Sequence, residues 1–176
     1  TLRSMTADSI DWNAQWVLNN SLIFTSIMFV LWAVFLVFQK SSKHYRAVLL
    51  ILGSGFLFAV TNFWIFPLSA TIFYVFQGAA SYNQWIFFIL SCILLPLTNI
   101  IVIVSQQTAF KYGQASTLAT LQQFPPQLTP AIIYLLVFQL IPPSEYSLPI
   151  LFVGTGLVLA SSFLLMRRKV QISRIK

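Results

Sequence analysis

The residues with the most chemistry in this 176-residue chain crowd one apolar stretch, ASTLATLQQFPPQLTPAIIYLLVF, which begins at Ala115. Gln122, Gln123 and Gln127 carry amides that both donate and accept hydrogen bonds. Thr117, Thr120 and Thr129 add hydroxyls. Pro125, Pro126 and Pro130 each lack an N–H and crowd the preceding turn, so an unbroken helix is excluded there. Carbonyls freed in this way are tolerated at membrane depth only when buried in protein or turned to a wet cavity. Broken helices of this kind line binding sites near the bilayer midplane of transporters. The competing reading is scaffolding, in which the glutamines bond between helices and the prolines only shape the chain. Gln122 and Gln123 point about 100° apart, whereas Gln123 and Gln127 share a face if the helix is continuous.

Two other apolar stretches add polar groups. One holds Thr61 and Asn62 beside Trp64; the other holds Thr98 and Asn99 after Pro96, then Gln106 and Gln107. An unpaired amide in hydrocarbon costs several kcal/mol, so Asn62 and Asn99 are expected to face the bundle interior. Interhelical bonding and substrate contact explain them equally well. The candidate substrate-binding residues are therefore Gln123, Gln127, Asn62, Asn99, Gln122 and Thr120, with Pro125, Pro126 and Pro130 as helix breakers.

What is missing narrows the chemistry further. No Asp, Glu, Lys or Arg falls within a candidate span, and the one histidine, His44, lies in a basic loop. Intramembrane catalysis relies on carboxylates, histidines or metal ligands held in the bundle. No catalytic residue, metal site or cofactor is therefore expected, and an enzyme is disfavoured. Cys92 is the one cysteine, which excludes an internal disulfide.

The elements that position these residues are apolar. Hydrophobic types make up 58% of the chain and charged types 7%, against roughly 25% charged in soluble domains. A soluble domain this short cannot hide so much apolar surface, whereas lipid can. The fold class expected is all-α, a polytopic transmembrane bundle of five spans at about Leu18–Phe38, Ala47–Leu68, Trp85–Ser105, Ala115–Leu140 and Leu148–Met166. Residues 1–17, with Trp12 and Trp16, form an interfacial lead-in; 18–166 form the membrane domain; 167–176 form a basic tail. The stretch Ser69–Gln84 reads as a long, kinked continuation of the second span past Pro67, or as an interfacial segment, in preference to a sixth span.

Charge orients the spans. Lys40, Lys43 and Arg46, then Lys111, then Arg167, Arg168, Lys169, Arg174 and Lys176 share one side of a five-span arrangement. Asp8, Asp11 and Glu145 share the other, and Arg3 alone departs from the pattern. The positive-inside bias then puts the C-terminus in the cytoplasm and the N-terminus outside. The net charge of +7 is topology signalling, not a nucleic-acid surface. An N-terminus outside without a signal peptide leads to the expectation that preceding spans, encoded upstream or separately, deliver it there.

These spans meet a family pattern. The run Ala109-Phe110-Lys111-Tyr112-Gly113-Gln114-Ala115-Ser116 resembles the turn between the third and fourth helices of an EamA repeat, and Pro126 falls where that family places a helix proline. Glu145, Pro149 and Gly154 followed by Leu157–Leu165 look like its ending; Leu31-Trp32-Ala33 with Gln39-Lys40 is similar to its opening helix. The chain thus resembles one repeat of the drug/metabolite transporter superfamily over most of residues 22–168. Two departures are a longer separation of Pro126 from Glu145, with Pro142-Pro143 inserted, and the extended Ser69–Gln84 stretch.

The resemblance implies a ten-helix protein built from two inverted five-helix repeats, of which this is the C-terminal half, or a five-helix protein that pairs with a homodimer partner. It implies a carrier that moves a small polar metabolite by alternating access. The alternative is a non-transporting integral membrane subunit that stabilises a larger complex. Expected partners are the lipid bilayer, a second repeat and the metabolite. The expected location is a plasma (bacterial inner) membrane or an organellar membrane.

Overall fold

The computed structural model describes residues 10–41, 45–133, 137–138, 146, 149–150, 152–154, 156–157, 160–161 and 164. All secondary structure among the described residues is helical. α1 covers Gln15–Ser41, α2 Arg46–Phe76, α3 Tyr82–Phe110, α4 Ala115–Gln122 and α5 Phe124–Ile132. Helices suit this composition because each satisfies its backbone polar groups internally and leaves its apolar side chains free to face an apolar medium.

Three of these helices are long and apolar enough to cross a membrane: Gln15–Lys40, Arg46–Phe76 and Tyr82–Phe110. They match the first three expected spans. The fourth expected span is divided into α4 and α5. Most of the fifth lies outside the described residues.

α2 is the axis of the fold. In its most apolar window 61% of residues are buried, against 22% for α1 and for α3. α1, α3, α4 and α5 all pack on it. α2 runs unbroken through Pro67 to Phe76, so the first half of Ser69–Gln84 is helix. The chain then turns at Gly78, whose φ of 69° lies in the left-handed region that glycine adopts without strain. Ser81 caps α3: its hydroxyl accepts from the Gln84 backbone N–H while the Gln84 side chain accepts from the Ser81 N–H. A helix, a tight turn and a capped helix start thus replace any sixth span.

The ends of the bundle are fixed by side chains. At one end the Arg46 guanidinium lies over the Tyr112 ring, 4.5 Å from its centroid, joining the first residue of α2 to the turn after α3. Lys40, Arg46 and Lys111 therefore share an end. At the other end Asn13 meets the start of α3, with its carbonyl accepting from Asn83 Nδ2 at 2.5 Å and its side-chain oxygen bonded by the Ser81 hydroxyl. Trp12 is buried among Phe66, Phe87 and Phe138 at centroid distances of 5.6, 5.3 and 5.8 Å. Its indole area is better removed from any solvent by three edge-on ring contacts than left at a boundary.

Candidate functional site

The chain pauses at Gln123, which ends α4 and precedes α5 while keeping right-handed dihedrals (φ −73°, ψ −13°). The sequence explains the pause. Helix position i+4 from Leu121 is Pro125, and positions i+3 and i+4 from Gln122 are Pro125 and Pro126. The Gln122 carbonyl therefore has no intrahelical N–H to accept from, and the Leu121 carbonyl has none at i+4. Pro130 likewise denies the Pro126 carbonyl its usual donor. Beyond the pause the ladder resumes, with Gln127 N–H donating to the Gln123 carbonyl at 3.2 Å.

The pause is seated on α2 at Gly55. A Cβ at this glycine would lie 2.7 Å from the Gln122 carbonyl oxygen and 2.9 Å from Cγ of Pro125. Only the missing side chain lets α4 and α5 come so close. From α3, Gln106 Nε2 donates to Gln122 Oε1 at 2.5 Å, so the break is held on two sides. Gln122 is 3% exposed, and its Nε2 has no partner. Gln127 Oε1 is also enclosed without a partner.

Two turns further from the basic end, the α2–α3 seam is closed by the hydroxyls of Thr61 and Thr98, 2.8 Å apart. The next residue on each helix is an asparagine. Because α2 and α3 are antiparallel, the 100° step from Thr61 to Asn62 and the step from Thr98 to Asn99 turn toward the same flank. That flank carries the helix break: Gly55 lies seven residues below Asn62 and Gln106 seven from Asn99, each about two turns or ~10 Å along the same stripe. Four amides and the freed carbonyls thus line one side of the seam.

The expected site residues fare differently in detail. Gln122 is buried and central. Gln127 is half-buried, Thr120 is half-buried one turn before the break, and Gln123 is exposed at the break. Gln123 and Gln127 are joined by an i+4 backbone bond across the pause, with Gln123 exposed and Gln127 half-buried. Asn99 is half-buried, with its Nδ2 donating to the Leu95 carbonyl at 2.9 Å. Asn62 does not face the interior as expected; it is exposed on α2. Pro125 is buried against Gly55, Pro126 is half-buried and Pro130 is exposed.

Sequence reasoning missed Gly55 and Gln106 as members of this arrangement. Their signals were present: a glycine seven residues before Asn62, and a glutamine seven residues after Asn99. Among the described residues no cluster of His, Cys, Asp or Glu is placed to hold a metal. Comparison with known protein families, curated proteins and solved structures yields no match to this chain.

Proposed function

We propose that this chain is one half of a multi-pass membrane carrier that moves a small polar solute by alternating access. In this reading five spans run from an outside N-terminus to a cytoplasmic C-terminus, and a second five-helix repeat or a homodimer partner completes the solute site. The observation that carries it is the amide-lined flank above a broken helix, with Gln122 buried, partly unpaired and seated against Gly55. Proteins meet the cost of unpaired buried amides where a ligand satisfies them. The gathering of Lys40, Arg46 and Lys111 at one end and Asp11 at the other is consistent with the orientation. The resemblance of Ala109–Ser116 and Pro126 to an EamA repeat points the same way.

Uptake into vesicles containing the chain and its partner, measured over a panel of small polar solutes, tests the proposal. Asn62→Ala and the paired change Gln106→Leu with Gln122→Leu should abolish flux while leaving expression and melting near those of the parent. Flux unchanged in both variants would remove these residues from the path. Purification of a fixed-stoichiometry complex with unrelated subunits and no flux would favour the non-transporting subunit instead. Thiol labelling from either side tests topology, with the turn before Arg46 and the tail after Met166 expected on one face.

A further inference from the structure

Where α2 is left bare, its exposed residues follow a pattern that lipid does not require. From Ala47 to Thr61 no residue of α2 is exposed, and α1, α3, α4 and α5 all pack on the helix. Beyond that point one stripe opens. Asn62, Ile65, Ser69 and Ile72 are exposed at steps of three, four and three, before exposure broadens at Phe73, Tyr74 and Phe76. Between them Phe63, Trp64, Pro67 and Thr71 are buried. Alternating steps of three and four mark the seam of a helix that pairs with another helix.

The stripe differs in chemistry from the outer faces of α1 and α3. Those faces expose aliphatic residues in succession, Val30, Val34 and Val37 on one and Ile93, Leu97 and Ile100 on the other, which suits hydrocarbon. The α2 stripe begins instead with an amide near the middle of the helix, and Asn62 makes no hydrogen bond among the described residues. An amide bared to lipid loses the donors and acceptors that water would give it, so a neighbouring helix has to supply them. Two turns further, Ser69 keeps the contour small. Its hydroxyl is folded back onto the Phe66 carbonyl at 2.8 Å, and small residues let helices approach closely.

We infer that a second copy of this chain docks on the stripe, α2 parallel to α2, about a twofold axis normal to the bilayer. This deepens the proposed function by choosing its partner and the face that partner covers, and rests on that reading for the bilayer alone. Every copy of one chain enters a membrane in the same sense, so a twofold axis along the normal sets each residue against its own counterpart at equal depth. The stripe is complementary to itself under that operation. An amide both donates and accepts, so Asn62 satisfies Asn62 of the other copy. Ile65 and Ile72 meet their counterparts as apolar pairs. A lone asparagine in an otherwise apolar seam is also the device that fixes register and copy number in paired helices.

The test uses the full chain in liposomes, with Cys92→Ser removing the native thiol. Single cysteines placed at residues 62 to 72 are oxidised with copper phenanthroline. Cross-linked dimer should peak at Asn62→Cys, Ile65→Cys, Ser69→Cys and Ile72→Cys, fall at the positions between, and be absent at Val34→Cys and Ile100→Cys on the lipid faces. Self-association is measured separately, by energy transfer between copies labelled at Lys176→Cys as the protein-to-lipid ratio is lowered. Asn62→Leu should weaken it about three- to tenfold, the loss of the interhelical amide bonds, and Asn62→Gln should restore most of it. A monomer at every ratio overturns the inference. So does a cross-linking maximum on α1 or α3, or self-association that Asn62→Leu leaves unchanged. A cross-link within one chain between Ile65→Cys and Leu157→Cys, with no dimer, gives the stripe to the chain's own last span and overturns it as well. The readout requires no flux: a dimer without transport sinks the carrier reading alone, and transport by a complex whose copies do not cross-link sinks this inference alone.

Discussion

Toward the Trp12 end of α2, Phe63, Trp64 and Phe66 meet Phe24, Phe87 and Phe138 ring against ring; toward the basic end, Gly55 admits a helix break against the backbone itself. The first region is a network of overlapping aromatic contacts in which Trp64 is wholly buried and donates its indole N–H to the Thr25 hydroxyl at 2.9 Å. Each ring there has several neighbours, so the loss of one contact leaves others. The second region depends on one absent side chain, one amide pair and carbonyls that no helix partner satisfies. Packing density stabilises the first, whereas the second holds polar groups at a cost that packing must offset. The difference separates a part of the molecule held by redundant packing from a part in which packing must hold polar groups in place.

Four experiments break or sharpen that contrast. The largest effect belongs to Trp64→Ala, which opens a cavity in the ring network and should cost about 3–5 kcal/mol in reversible unfolding in mixed micelles. Next is Gly55→Ala, whose methyl group meets a backbone carbonyl that cannot rotate away; about 1–3 kcal/mol is expected, with uptake impaired as well. If Gly55→Ala costs more than Trp64→Ala, the contrast is reversed. A double-mutant cycle of Thr61→Val and Thr98→Val should give a coupling near 0.6 kcal/mol, the size of interhelical hydrogen bonds in bilayers. Smallest in stability is the pair Gln106→Leu with Gln122→Leu. Removing both partners leaves no orphaned amide, so unfolding should shift by about 1 kcal/mol or less while flux disappears. A large loss of stability in that pair would make the amides structural and end their assignment to a site.

Much of this was readable from residue order alone, and the parts that were not share a cause. Three long apolar helices follow from runs of about 20 apolar residues, and the interruption near Gln123 follows from prolines that delete named N–H groups. Those signals are local, so sequence carries them. The direction in which Asn62 points is not local. The rule that a buried amide needs a partner sends it inward, but which stripe of α2 the other helices cover is decided by tertiary packing. In sequence Gly55 is a glycine among apolar neighbours; its role appears once the Gln122 carbonyl is known to arrive there. The burial of Trp12 is not local either. Tryptophan favours interfaces on average, yet three phenylalanines from distant positions assemble a niche that no single stretch announces.

The length of α2 bears on how the protein sits in its medium. Its 31 residues measure about 46 Å, half as long again as a hydrocarbon layer of about 30 Å. Fitting the entire helix into that layer by leaning alone demands about 50° from the bilayer normal, beyond the range of roughly 0–40° that spanning helices show. Some of it must project, and the end that carries exposed Phe73, Tyr74 and Phe76 suits the headgroup layer by its amphipathic rings. A thicker, sterol-rich membrane would draw that end back into the acyl chains and stand the helix more upright, so bilayer thickness becomes a handle on the angle at which the whole bundle is held.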